Sequence, residues 1–284
     1  MGKKTKIDWA DATWNPVTGC LHDCEYCYAR RIAERFGATG NDGKALYTLD
    51  EPLRTSATYE YLRELGINEG KIQPYPFGFA PTFHRYRLDE PQHWKKPKTI
   101  FVCSMADLFG AWVPEEWIME VFAACKKAMQ HKYLFLTKNP ARYLELGKRD
   151  MLPDYDNFWF GTTVEKPTQE FFYETPFFTN KRRSHSYGLF LSIEPIMSDF
   201  PVRKSFVQTV EDDVPGDRQN AVDWFIVGAE TGNRKNKTIP KREWIDHIAE
   251  TGRNCGIPVF MKESLRSIMG DNFKQEFPWE VTRR

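Results

Sequence analysis

Three of the chain's six cysteines fall within eight residues, in Gly19-Cys20-Leu21-His22-Asp23-Cys24-Glu25-Tyr26-Cys27-Tyr28. With gaps of three and two residues, one loop can wrap three corners of a single metal cluster, whereas iron-sulfur centres ordinarily take four thiolates. One corner then lacks a cysteine, and an open position is what a catalytic centre keeps and a structural one closes. The same thiols with His22 would also suit a zinc site. Structural zinc knuckles, however, pair two CxxC-like halves, and Cys103, Cys125 and Cys255 stand alone. A cluster is therefore expected over a zinc ion.

Composition sets the context. A chain of 284 residues, 41% hydrophobic and 28% charged, reads as an ordinary globular protein with room for one large domain, residues 1–284. No apolar run approaches the roughly 18 residues that span a bilayer, and the start MGKKTKIDWADATW has no signal-peptide core. A cytoplasmic protein with no membrane contact is expected. Thiols stay reduced there, so the triplet points to metal or redox chemistry before disulfides. A net charge of +1 excludes a strong global field for nucleic acid. Local basic runs remain at Lys181-Arg182-Arg183 and across Arg234, Lys235, Lys237, Lys241 and Arg242. Such runs are ordinarily solvated surface; the functional alternative is a path for a polynucleotide.

The elements that must position this loop are legible as a rhythm. Short runs, apolar on both faces, recur at 99–103, 133–137, 158–163, 188–193, 224–228 and 258–261, which suits buried parallel strands. Helices are expected over 28–36, directly after Cys27, over 114–130, which opens on proline and two acids and ends on lysines, and over 241–251. Repeated βα units of this kind give an open doubly wound sheet or a barrel. Residues 37–98 break the rhythm as an aromatic-rich insertion expected to pack on the core, and 210–220 reads as an acidic surface loop.

In barrels the chemistry sits where strands end. The residues there are polar: Ser104 and Asp107, Thr137 and Lys138, Thr163 and Glu165, Ser192 and Glu194, Glu230, Lys262 and Glu263. For each, a helix cap or strand-end hydrogen bond is as ready an explanation as ligand contact.

The C-x3-C-x2-C pattern with aromatic Tyr26 before the last cysteine resembles the signature of the radical S-adenosylmethionine (AdoMet) superfamily. The strings TWNPVTGC, PTFHRYRLDEPQHWKKPKTIFVCSMADLF, FLTKNPARY, FLSIEPI, WFIVGAETG and GIPVFMKE further resemble a three-cysteine family of bacteria and phages, distantly similar to spore photoproduct lyases. In many members of that family the gap between the first two cysteines is longer. The resemblance implies an α/β fold, a partial (β/α)6-type TIM-like barrel with an insertion after the first helix. It implies Cys20, Cys24 and Cys27 as ligands of a 4Fe-4S cluster, AdoMet on the remaining iron, and reductive cleavage to a 5'-deoxyadenosyl radical that abstracts a hydrogen atom. An electron donor such as flavodoxin or ferredoxin follows.

By position, Ser104 and Asp107 are implied at the AdoMet amino group, Thr163, Glu165, Ser192 and Glu194 at ribose and carboxylate, with Lys138 and Glu230 beside them and Tyr26 near the adenine. No glycine-glycine-glutamate string follows the second strand, so the match rests on position. Cys103 is a candidate hydrogen-atom donor, a buried packing cysteine being the ordinary alternative. The implied substrate is a nucleic acid base or nucleotide; a peptide or small metabolite is the alternative enzyme reading, and a non-catalytic zinc module the alternative class.

Overall fold

The computed structural model describes residues 5–37, 74–75, 77–165, 185–199, 208–210, 218–220, 222–232 and 234–280. The chain falls into two compact units, residues 1–137 and 138–284.

In the first unit, β1 (Ala12–Trp14) leads through the two-residue β2 (Val17–Thr18) and the cysteine loop into α1 (Tyr28–Phe36). Then come β3 (Thr82–Phe83), β4 (Thr99–Val102), α2 (Glu115–Lys126) and β5 (Lys132–Thr137). Strand β4 runs parallel to β1, with Thr13 opposite Phe101, and parallel to β5, with Phe101 opposite Leu134. Covered on both faces, these strands are apolar throughout their middle residues. Helix α2 contributes Trp117, Ile118, Val121 and Phe122 to the core, and Phe109, Phe122 and Phe135 form a ring cluster with centroids 5.4–6.1 Å apart.

The described residues of the 37–98 stretch pack on this unit. Phe83 is fully buried and lies 5.2 Å from the Trp117 ring, while Trp14 Nε1 donates to the Arg87 carbonyl at 2.7 Å. Residues 38–73 and 76, inside the insertion, lie outside the described residues.

The second unit carries α3 (Ala141–Lys148), β6 (Phe158–Thr163), β7 (Gly188–Ile193), β8 (Gln208–Val210), β9 (Arg218–Asn220), β10 (Trp224–Val227), α4 (Arg242–Cys255), β11 (Val259–Met261) and the short α5 (Arg266–Met269). Strands β6, β7, β10 and β11 are all parallel neighbours in that order. Helix α4 stops at Gly256, which takes the left-handed conformation (φ 66°) that suits glycine. The exposed edge of β11 is covered by a returning segment: Met261 N donates to the Lys274 carbonyl at 2.9 Å, and Trp279 packs on Trp159 and Trp224.

Parallel strands alternating with helices make this an α/β chain of the partial (β/α) barrel class, as expected. The differences are local. Strand β1 is too short to stand out as an apolar run, and α3 follows Pro140 without a strong apolar period. Of the stretch 210–220, expected to be an acidic surface loop, residues 218–220 form β9, which pairs antiparallel with β8, Thr209 opposite Gln219, and residues 211–217 lie outside the described residues. Among the described residues no helix is long and apolar enough to cross a membrane.

One buried imidazole sets a pH dependence. His84 is 2% exposed, pairs through Nε2 with Thr18 Oγ1 at 2.8 Å, and burial, with Arg87 nearby, pushes its pKa down from 6.5 to about 3. The unfolded chain takes up a proton below about 6.5 that the folded chain refuses until about 3, so this contribution to stability is complete above pH 6.5 and is lost as pH falls, by about 1.4 kcal/mol per unit. Urea unfolding between pH 7 and about 4.5 should therefore show a shallower loss of stability for His84→Gln than for the unmodified chain, by roughly one proton's slope. Parallel slopes would reject a neutral buried His84.

Candidate functional site

The cysteine loop begins at a glycine that no other residue replaces easily. Gly19 sits at φ 87°, where a Cβ would lie 2.2 Å from the Ala80 carbonyl oxygen. Its N–H donates to the Met105 carbonyl at 2.9 Å, and Cys20 N donates to the Phe79 carbonyl at 3.2 Å. The loop closes on Cys27, whose N–H donates to the Cys24 carbonyl at 3.0 Å and whose Sγ accepts from Arg30 N at 3.3 Å, capping α1. All three thiols are free and half-exposed. Burial pushes the Cys20 thiol up to about 12; the His22 backbone N–H opposes this, and the charges of Asp107, Cys24 and Cys27 add to it.

Among the described residues no group of three or more His, Cys, Asp or Glu side chains is arranged to hold a metal ion. The chemistry of the donor set is nevertheless selective. Three soft thiols share one short loop, and the imidazole between them is engaged elsewhere, since His22 Nε2 donates to Asp107 Oδ2 at 2.7 Å. Three cysteines without a fourth ligand from the loop fit an iron-sulfur cluster with one open iron better than a zinc site completed by His22.

The loop lies against the turn that follows β4. Cys103 starts that turn in the left-handed region (φ 57°), 2% exposed, with its N–H on the Trp14 carbonyl at 2.8 Å; burial pushes its thiol up to about 12. Ser104 Oγ and Met105 N both donate to Asn15 Oδ1, at 3.1 and 2.9 Å, and the Ser104 carbonyl accepts from Tyr28 Oη at 2.6 Å. Asp107 is buried, and besides His22 it accepts from Thr137 Oγ1 at 2.7 Å and Phe109 N at 3.0 Å. Tyr26 is half-buried, its carbonyl 3.4 Å from the Arg31 guanidinium. The sequence did not single out Asn15 or Trp112, whose ring meets that of His22 edge-on at 4.8 Å. Asn15 follows a strand as the other polar candidates do, a signal visible only once β1 is recognised.

The strand ends of the second unit are occupied by ion pairs. Lys138 pairs with Glu165, and Lys262 with Glu194, the latter pair packed so that a Cβ on Gly228 would lie 2.9 Å from Lys262 Cδ and 3.0 Å from Glu194 Cδ. Glu230, nearly fully buried, takes a two-pronged contact from the Arg234 guanidinium, both arms at 2.7 Å. Thr163 is half-buried and Ser192 1% exposed. Of the basic residues, Arg234 is committed to Glu230, Arg242 contacts Asp246 at 3.4 Å, Lys241 lies over the Trp244 ring, and Lys235 and Lys237 are exposed. Lys181, Arg182 and Arg183 lie outside the described residues.

A family described as "Protein of unknown function (DUF5131)" matches residues 4–271. No curated protein sequence matches the chain at a significant level. Among solved structures the fold is similar to spore photoproduct lyase complexed with dinucleoside spore photoproduct, with a TM-score of 0.51 and 10% identity, covering 92% of this chain and 79% of that one. It is likewise similar to a doubly substituted form of that enzyme with bound AdoMet and the same dinucleoside, with a TM-score of 0.50 and 10% identity over 91% of this chain and 80% of that one. At this identity the likeness is one of fold.

The loop geometry makes Gly19 its most sensitive backbone position. Gly19→Ala adds a left-handed penalty of about 1–2 kcal/mol to a clash with backbone, so a loss of more than about 2 kcal/mol is expected in chemical unfolding. An alanine variant of unchanged stability would show that the Gly19 turn is not as described.

Proposed function

The chain belongs to the DUF5131 family, and from that starting point we propose that it is a radical AdoMet enzyme acting on a nucleic acid base or nucleotide. The observation that carries the reading is the loop of three free, half-exposed thiols, leading directly into α1, in a chain with the fold of a lyase solved with AdoMet bound.

In this reading Cys20, Cys24 and Cys27 hold a 4Fe-4S cluster. Such a cluster, held by these three residues, would supply the one-electron reduction that reductive cleavage of AdoMet needs. The remaining work belongs to the chain. Gly19 and the Cys24–Cys27 turn fold the loop back on itself, and the N-terminus of α1 at Cys27 places positive dipole beside the thiolates. Ser104 is the polar group of the β4 turn offered to AdoMet, with Tyr26 beside the adenine. In the second unit, Thr163 is the proposed ribose contact; Ser192, 1% exposed, meets a ligand only if its surroundings open, and Lys138, Glu165, Glu194 and Glu230 reach one only by sharing or exchanging their present ion-pair partners. Cys103 has the intact S–H a hydrogen-atom donor needs, but at 2% exposure it meets a substrate only if the 103–107 turn opens.

Electrons come from a small reductant such as flavodoxin or ferredoxin. The nucleic acid part of the reading draws on the dinucleoside in the similar structures and on exposed Lys235 and Lys237.

Anaerobic reconstitution should yield about four irons and four sulfides per chain, and alanine at any one of Cys20, Cys24 or Cys27 should prevent it. Reduced with dithionite, the loaded protein should slowly release 5'-deoxyadenosine and methionine from AdoMet; one bound zinc and no iron would instead favour the zinc module. Binding to single-stranded DNA or RNA should weaken with salt, with a log-log slope of about 0.7 per phosphate contacted, and Lys235→Glu with Lys237→Glu should flatten it. A response flat in salt would favour a peptide or metabolite.

A further inference from the structure

Several contacts join the cysteine loop to the turn after β4. At its start Gly19 N meets the Met105 carbonyl, and past its end Tyr28 Oη meets the Ser104 carbonyl at 2.6 Å. Between them the join is made by two side chains, His22 Nε2 on Asp107 Oδ2 at 2.7 Å. His22 stands two residues from Cys20 and two from Cys24, so whatever fixes its ring fixes the backbone between two of the three thiols.

Asp107 is built as a socket. Its side chain is 7% exposed, and Thr137 Oγ1 and Phe109 N hold Oδ1, which leaves Oδ2 facing His22. Thr137 is the last residue of β5, so the carboxylate is braced by the strand end and by its own turn. The His22 ring is fixed from a second side by the edge-on Trp112 ring, and Trp112 in turn lies where a Cβ on Gly110 would come within 2.4 Å of it. Burying a carboxylate is costly unless it is hydrogen-bonded, and the turn has another brace in Asn15, which holds both Ser104 Oγ and Met105 N. Asn15 thus ties down the start of the turn, while the Asp107 oxygens are engaged by Phe109 N and Thr137 Oγ1 on one side and by His22 on the other.

We propose that the Asp107–His22 contact is a positioning device that sets where Cys20 and Cys24 point, and that Asp107 serves the cluster through His22 and not as a ligand of AdoMet. This rests on the reading of the loop as a cluster loop. His22 acts on Cys20 through its own backbone N–H, so Asp107 stands one step behind an outer partner of a ligand, and the low end of the about 10- to 100-fold loss in metal retention typical of such partners is expected.

The test compares the unmodified protein with His22→Phe, His22→Gln and Asp107→Ala after anaerobic reconstitution, without AdoMet. Iron loss to a chelator and the electron paramagnetic resonance spectrum of the reduced cluster are read. His22→Phe keeps the ring against Trp112 but loses the donor; it should release iron about 10-fold faster and shift the spectrum. His22→Gln restores a donor and should fall between the two. The double variant His22→Phe with Asp107→Ala should be no worse than the poorer single one, as expected of two ends of one contact.

Should Asp107→Ala fail to fold, the two His22 variants carry the test, because His22 lies on the partly exposed loop. Wild-type spectra and iron retention in every variant would overturn the inference; a separate AdoMet titration of the same variants that showed weakened affinity would then return Asp107 to the AdoMet site. If the unmodified protein takes up no cluster, the cluster reading fails and the inference falls with it.

Discussion

A parallel strand covered on both faces has only its ends in which to be polar. That constraint organises this chain. Strands β4, β5, β6, β7, β10 and β11 bury nearly every residue, so hydroxyls, carboxylates and ammonium groups accumulate where each strand stops. Once there, a group must find a partner within reach, because a half-buried charge without one is costly. The two units answer this requirement differently.

In the first unit the answer is a hydrogen-bonded turn that receives the cysteine loop. Asn15 at the end of β1 supports Ser104 and Met105, while Thr137 at the end of β5 supports Asp107. The loop arrives by way of Gly19, whose left-handed backbone lets the chain pass Ala80 without collision. Its three thiols stay half-exposed while Cys103, one residue past β4, is sealed in. In the second unit the strand-end acids are matched by bases: Glu165 by Lys138, Glu194 by Lys262, Glu230 by Arg234. The half-exposed pairs at Glu165 and Glu194 gain modestly, whereas the buried Glu230 depends on Arg234 to offset its desolvation.

Much of this frame was legible in the sequence. Strands 158–163 and 188–193 and helix 28–36 stand as their residue patterns indicate, because long apolar runs and a helix that follows a capping residue carry their own local signal. Strand β1 has three residues, one of them threonine, and its identity as a strand depends on pairing with β4, some 88 residues away. The same holds for the site. Polar residue types at strand ends could be read directly, but their mutual pairing could not, since nothing local to Glu194 announces Lys262. His22 is the sharpest case. In sequence it looks like a fourth metal ligand, and only the fold reveals that its ring is engaged by Asp107, 85 positions on.

The central claim is that three thiolates from this loop leave one iron to AdoMet, and electron-nuclear double resonance on the reduced, reconstituted protein tests it most directly. With AdoMet isotopically labelled at its amino nitrogen, the account predicts a hyperfine coupling between that nitrogen and the cluster. A cluster spectrum untouched by AdoMet, with no coupling to the labelled nitrogen, would contradict it.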